Sequence, residues 1–122
     1  MKDKLKVDGI PLWVTVFLLL IILFGVGLGA PAMVGHGLME AHTIGWGGRQ
    51  LGIAVGSILA IVYRSQIGYV IVFTCALFKE TSDLIEILSS QTPDMGMALG
   101  FAPFLALELV SLWYSHKATK MH

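Results

Sequence analysis

No charged residue interrupts the chain from Ile10 to Ala30, and a polar leader with Lys2, Lys4 and Lys6 precedes that run. Three more largely apolar stretches follow, at about 44–63, 66–90 and 95–115. Each approaches the roughly 20 residues that a helix needs to cross the hydrocarbon of a bilayer. Pro11 suits a first helical turn, where its missing N–H is no loss. Pro31 predicts the end, or a kink, of the first helix. Residues 30–43 are only half polar and predict a short interfacial helix or a re-entrant loop. Arg64 to Gly68 predicts a tight turn, and Gln91 to Asp94 predicts another. The pattern is that of an all-α integral membrane protein: a single domain over 1–122, an up-down four-helix bundle with spans at about 11–30, 44–63, 66–90 and 95–115.

Small residues add packing detail. Gly25 and Gly29 form a small-xxx-small pair late in the first span, and Gly48, Gly52, Gly56 and Ala60 form a row in the second. Such rows let helix backbones approach closely. Arg49 lies beside the second row and is expected to point into the bundle.

Charge sets the orientation. With an even number of spans both termini share a side, and Lys2, Lys4, Lys6, Arg64, Lys117 and Lys120 all fall there. The opposite loops hold Glu40, Asp94 and histidines. By the positive-inside pattern the protein is multi-pass with both termini cytoplasmic. Trp13, Trp113 and Tyr114 sit at that interface, and Trp46 sits at the other.

Composition narrows the function classes. Hydrophobic residues make up 56% of the chain and charged residues 13%, against about 25% charged in soluble domains. Net charge is zero, so nothing suggests nucleic acid as a partner. Cys75 is the single cysteine, which excludes dithiol chemistry of the vitamin K epoxide reductase type. In its apolar setting it is expected to be a small buried hydrophobe. The first apolar run exceeds a signal peptide's h-region of about 7–15 residues, so it is expected to be a retained span. No motif asks for a cofactor.

Candidate chemistry begins with Arg49, because an arginine within a span costs roughly 2.5–3.5 kcal/mol on insertion scales. Counting about 1.5 Å per residue puts it about 7 Å below the outer face, with Asp83 and Glu86 roughly 10 and 6 Å down on the third span. Asp83, or else Glu86, is therefore its expected partner. Lys79, Asp83 and Glu86 share one helical line, Glu80 is adjacent, and Lys79 and Asp83 form an i,i+4 pair. Glu108 lies near mid-membrane on the fourth span, on a polar line with Ser111 and Ser115. A structural account is that Arg49–Asp83 fixes helix register. The further carboxylates exceed what register needs, and intramembrane ionisable groups usually mark a functional cavity. Carboxylates in unlike surroundings can divide the roles of acid and base. The candidate catalytic residues are Arg49, Asp83, Glu80 and Glu108. The candidate ligand contacts are Arg49, Lys79, Glu86, His36, Glu40, His42 and Trp46. His36, Glu40 and His42 could in principle hold zinc; no second cluster supports a metal, and these groups are expected to line an entrance. The methionines are read as packing.

These residues also carry a resemblance. The four-span layout, the glycine-rich GWGGRQLGIAVG with its arginine, and FKETSDLIEIL late in the third span resemble the DoxX-like superfamily of small four-helix membrane proteins, over about residues 10–115. The resemblance implies an up-down bundle with Arg49 and Asp83 facing inward. Members include a subunit associated with thiosulfate:quinone oxidoreductase and a chaperone-like protein of neuronal receptors, so it does not itself set a function. Small multidrug exporters carry a glutamate in the first span, which is absent here. The glutathione-using membrane family carries an arginine- and asparagine-rich second span, also absent.

Three functions compete. The first is a site that binds or transforms a hydrophobic small molecule by isomerisation, epoxide opening or redox-linked chemistry. The second is an accessory subunit or assembly factor of a larger membrane complex. The third is a proton-coupled transporter, which would need a homo-oligomer to enclose a path. Beyond these candidates, the expected partner is the lipid bilayer.

Overall fold

The computed structural model describes residues 5–37, 43–92 and 94–120. Four helices account for most of them: α1 Leu12–Met33, α2 Ile44–Val62, α3 Gln66–Leu88 and α4 Met95–Lys120. Polar residues at their starts explain where three of them begin. Thr43 accepts a hydrogen bond from the Trp46 N–H, Ser65 from the Gly68 N–H and Asp94 from the Met97 N–H. Each satisfies an amide that a helix start leaves without an intrahelical partner.

The helix ends differ from the sequence expectation in two places. Pro31 does not end α1, which continues to Met33. The stop is made by Gly35, whose φ is +86°. The Gly35 N–H bonds to the Ala32 carbonyl at 3.1 Å and the His36 N–H to the Pro31 carbonyl at 2.8 Å, a Schellman closure. The second difference is at α4, which extends past residue 115 because Ala118 is itself buried in the core. Of the expected interfacial segment, residues 38–42 lie outside the described residues.

α1 and α2 form one tightly packed pair, α3 and α4 a second, and α2 packs on α3. The first pair is held at glycine distance. A methyl group added at Gly47 would come within 2.6 Å of the Gly29 carbonyl oxygen and the Met33 amide nitrogen. One added at Gly25 would lie 2.9 Å from the Ala54 Cβ. Gly25 and Gly29 therefore serve as expected, but the row they meet runs through Gly47 and Ala54. Gly48 and Gly52 have nothing within 4 Å of an added methyl, whereas Gly56 meets Val72 of α3. Only the lower half of the expected row packs.

The two ends of the bundle are built differently. The end holding the chain termini has a solid core, with an open groove between α3 and α4 on its outside. Val14, Phe17 and Leu18 of α1 pack with Ala60 and Ile61 of α2, and with Tyr69, Val72 and Phe73 of α3. Phe17 stacks on Phe73 at 6.1 Å and meets Phe104 edge-on at 5.2 Å. Thr15 and Tyr69 are fully buried and share a hydrogen bond of 2.8 Å. The leader is less solvated than expected, because Val7 and Ile10 belong to this core. At the other end the helices splay around a cavity.

The outside is apolar. Leu23, Phe78, Leu99 and Leu109 are all exposed, and so are many other large hydrophobic side chains. Soluble monomers rarely show such continuous apolar surface. α1, α2 and α4 are long and apolar enough to cross a membrane.

The glycine contact yields a direct test. Gly47→Ala should lower the melting temperature in mild detergent, at a cost of about 1–3 kcal/mol for overpacking. Gly48→Ala should leave it unchanged or raise it. Equal melting of the two variants would mean that α1 and α2 do not meet at Gly47.

Candidate functional site

The charges of α3 are turned inward. Lys79 and Glu80 are buried, and Asp83 is partly buried. Their spacing requires this grouping, since residues one, three and four apart stay on one side of a helix. The Lys79 ammonium donates to Glu80 Oε1 at 3.2 Å and lies 2.9 Å from Asp83 Oδ2. The second approach is a charge contact and not an aligned hydrogen bond. The same ammonium stands 5.3 Å from the centre of the Trp46 ring on α2, within cation–π range. One cation thus serves two carboxylates and an aromatic face.

Above the solid end this group borders a cavity of about 550 Å³, to which all four helices contribute. Leu28 of α1, Trp46 and Gln50 of α2, Lys79 and Glu80 of α3, and Phe101 of α4 form much of its wall, and Glu108 also lines it. Glu108 is fully buried, and among the described residues neither carboxylate oxygen has a hydrogen-bond partner. Ser111, one turn further along α4, is fully buried with its hydroxyl also unpartnered. Hydroxyls elsewhere find partners: Ser115 donates to the Ser111 carbonyl and Ser57 to the Ile53 carbonyl.

A second chamber of about 410 Å³ lies beside it and contains Arg49, Asp83, Glu86 and Asp94. Trp46, Met97 and Phe101 line both chambers and so form the partition between them. The second chamber is a vestibule at the end where α2 and α4 start.

The predicted site residues fall into three groups. Glu80, Lys79, Glu108 and Trp46 share the inner cavity. Arg49, Asp83 and Glu86 share the vestibule. His36 is exposed and lines neither chamber, while Glu40 and His42 lie outside the described residues.

Two expectations are corrected here. Arg49 is exposed and does not point into the bundle, and Asp83 pairs with Lys79 and not with Arg49. Both follow from the rotation of α2. The contact through Gly47 and Ala54 turns Trp46, Gln50 and Ile53 toward the cavity and leaves Arg49 exposed in the vestibule. Cys75, expected to be buried, is exposed on α3.

The sequence reading missed the aromatic wall. Phe101, Phe104 and Glu108 follow one another at spacings of three and four, which places them on one face of α4. That spacing was visible in the chain. Gln50 is likewise one turn from Trp46.

The Lys79 arrangement separates two variants. Lys79→Met leaves Glu80 and Asp83 without a cation and should cost about 3–5 kcal/mol, read as thermal unfolding in mild detergent. Arg49→Ala should cost less than about 1 kcal/mol, as for an exposed charge. A larger loss at Arg49 than at Lys79 would reverse the assignment of the structural cation.

No family model matches the chain, and neither a similar curated protein nor a similar solved structure was found.

Proposed function

We propose that this is a four-span membrane protein that binds a hydrophobic small molecule in the inner cavity and presents Glu80 and Glu108 to its polar end. One observation carries this reading: a cavity of about 550 Å³ within the bundle, into which the buried and unpartnered carboxylate of Glu108 faces. Small-molecule sites are mostly apolar concavities of about 300–1,000 Å³ with a few placed polar groups. The two carboxylates differ in setting, since Glu80 accepts a hydrogen bond from Lys79 and Glu108 accepts none among the described residues. Such a pair can divide the roles of acid and base, as isomerisation, epoxide opening or proton-linked redox chemistry requires.

The fourth span is α3. Its charges turn inward while Ile67, Ile71, Phe78 and Ile85 stay exposed, so its outer face is apolar enough for lipid. Lys6, Arg64, Lys117 and Lys120 gather at the solid end, which supports cytoplasmic termini. Membership of the DoxX-like superfamily is part of the proposal and rests on the second- and third-span motifs.

A second reading, as an accessory subunit of a membrane complex, is favoured by the open face at Gly48 and Gly52. That face could receive another helix.

Two measurements test these readings. Protein purified in mild detergent should retain a lipid-soluble molecule detectable by mass spectrometry of the extract. Ala76→Phe, which adds a ring to the cavity wall, should lose that molecule while the protein stays folded. An empty wild-type extract, with no thermal stabilisation by any hydrophobic compound, would sink the ligand reading. For topology, reporters fused at either terminus should both report the cytoplasmic side, and opposite sides would rule out four spans.

A further inference from the structure

The hydrophobic-ligand reading leaves the chemical class of the ligand open, and the charges around the cavity narrow it. Resting on that reading, we infer that the inner cavity selects a lipophilic amine, bound as its ammonium between Glu80 and Glu108. Three sets of observations carry the inference.

The first is the supply of unpaired charge. Lys79 is the cation at the cavity wall, and it is already engaged by Glu80 at 3.2 Å, Asp83 at 2.9 Å and the Trp46 ring at 5.3 Å. It has little left to offer an anionic ligand. Glu108, by contrast, is fully buried with both oxygens unpartnered among the described residues. Glu80 lines the same cavity. A carboxylate only accepts hydrogen bonds, and an ammonium supplies three donors together with the opposite charge. An ammonium set between the two glutamates gives the Glu108 oxygens the donors they lack among the described residues.

The second is the wall. Phe24, Trp46, Phe101 and Phe104 line the cavity. Aromatic faces attract cations and also bury apolar surface. An anionic head group would meet the same faces repulsively. The remainder of the wall, with Ile21, Leu28 and Ile53, fits an apolar body.

The third is the approach. Among the described residues the vestibule holds Glu86, Asp94 and Arg49, together with Asp83, whose charge Lys79 already meets. Glu86 and Asp94 outnumber Arg49 by one, and an excess of one sign raises the local concentration of the opposite sign. A cation is drawn to the partition formed by Trp46, Met97 and Phe101, beyond which Glu108 lies.

The test uses three probes with one apolar cage and different polar groups: adamantylamine, adamantanol and adamantanecarboxylate. Binding to the full chain in mild detergent is measured by isothermal titration. The amine should bind at least about tenfold more tightly than either of the others. Glu108→Gln should weaken amine binding by about tenfold or more and leave alcohol binding in place, whereas Glu86→Gln should change amine binding far less. The wild-type comparison stands even if Glu108→Gln does not fold. Alcohol or carboxylate binding as tight as that of the amine overturns the inference and leaves a hydrophobic-ligand site. Unchanged amine binding in folded Glu108→Gln also overturns it. Failure of all three probes to bind removes both the inference and the ligand reading beneath it.

Discussion

Lys79 organises the polar half of this bundle. A single ammonium lies between Glu80 and Asp83 and over the Trp46 ring, and so ties α3 to itself and to α2. A cation at contact distance offsets the burial of Glu80 and the partial burial of Asp83. That pairing fixes the rotation of α3, because the side facing Lys79's partners must face the interior. Once α3 is fixed, its apolar positions Ile67, Ile71, Phe78 and Ile85 are left on the outside. A helix with four charged residues thereby keeps an apolar outer face.

A different constraint fixes the other pair of helices. α1 and α2 meet at glycines, where added methyl groups would overlap backbone atoms. Backbones this close leave no room to slide or rotate, so the phase of α2 is set by which glycine row is used. The solid end adds stacked rings and the buried Thr15–Tyr69 hydrogen bond. The hollow end therefore sits on a rigid floor. Its walls are held by a glycine seam on one side and an ion group on the other. A cavity between such walls need not collapse when it is empty.

Much of the fold was legible in the chain because its causes are local. Apolar run lengths located all four helices, and Thr43, Ser65 and Asp94 mark three of their starts as the cap rule predicts. Pro31 misled because proline forbids one amide hydrogen bond but its φ is helical, and the actual stop needed the left-handed Gly35. Counting depth along helices correctly brought Arg49, Asp83 and Glu86 to one end and Glu80 and Glu108 to a deeper level. Depth depends only on rise per residue. Rotation does not: two glycine rows one residue apart, Gly47 with Ala54 and Gly48 with Gly52, are equally plausible seams on sequence alone. Choosing the second turned Arg49 inward and assigned Asp83 the wrong cation. The Lys79–Asp83 pair, being within one helix, was recoverable from spacing.

The contrast between the two ends bears on why Glu108 is where it is. At the solid end the buried polar side chains are matched, as Thr15 and Tyr69 show. Glu80 and Asp83 are matched by Lys79. Glu108 and Ser111 are fully buried, and among the described residues their side-chain oxygens have no hydrogen-bond partner. An unsatisfied buried polar group costs about 1–3 kcal/mol, and more when it is ionisable. A leucine at 108 would fill space and remove that cost, so stability gives no reason for a glutamate. Among the described residues nothing completes it, which is the observation that motivates the proposed ligand. The cavity it faces lies beside the vestibule, across a partition that includes two aromatic residues, and that cavity is where the proposed ligand would sit.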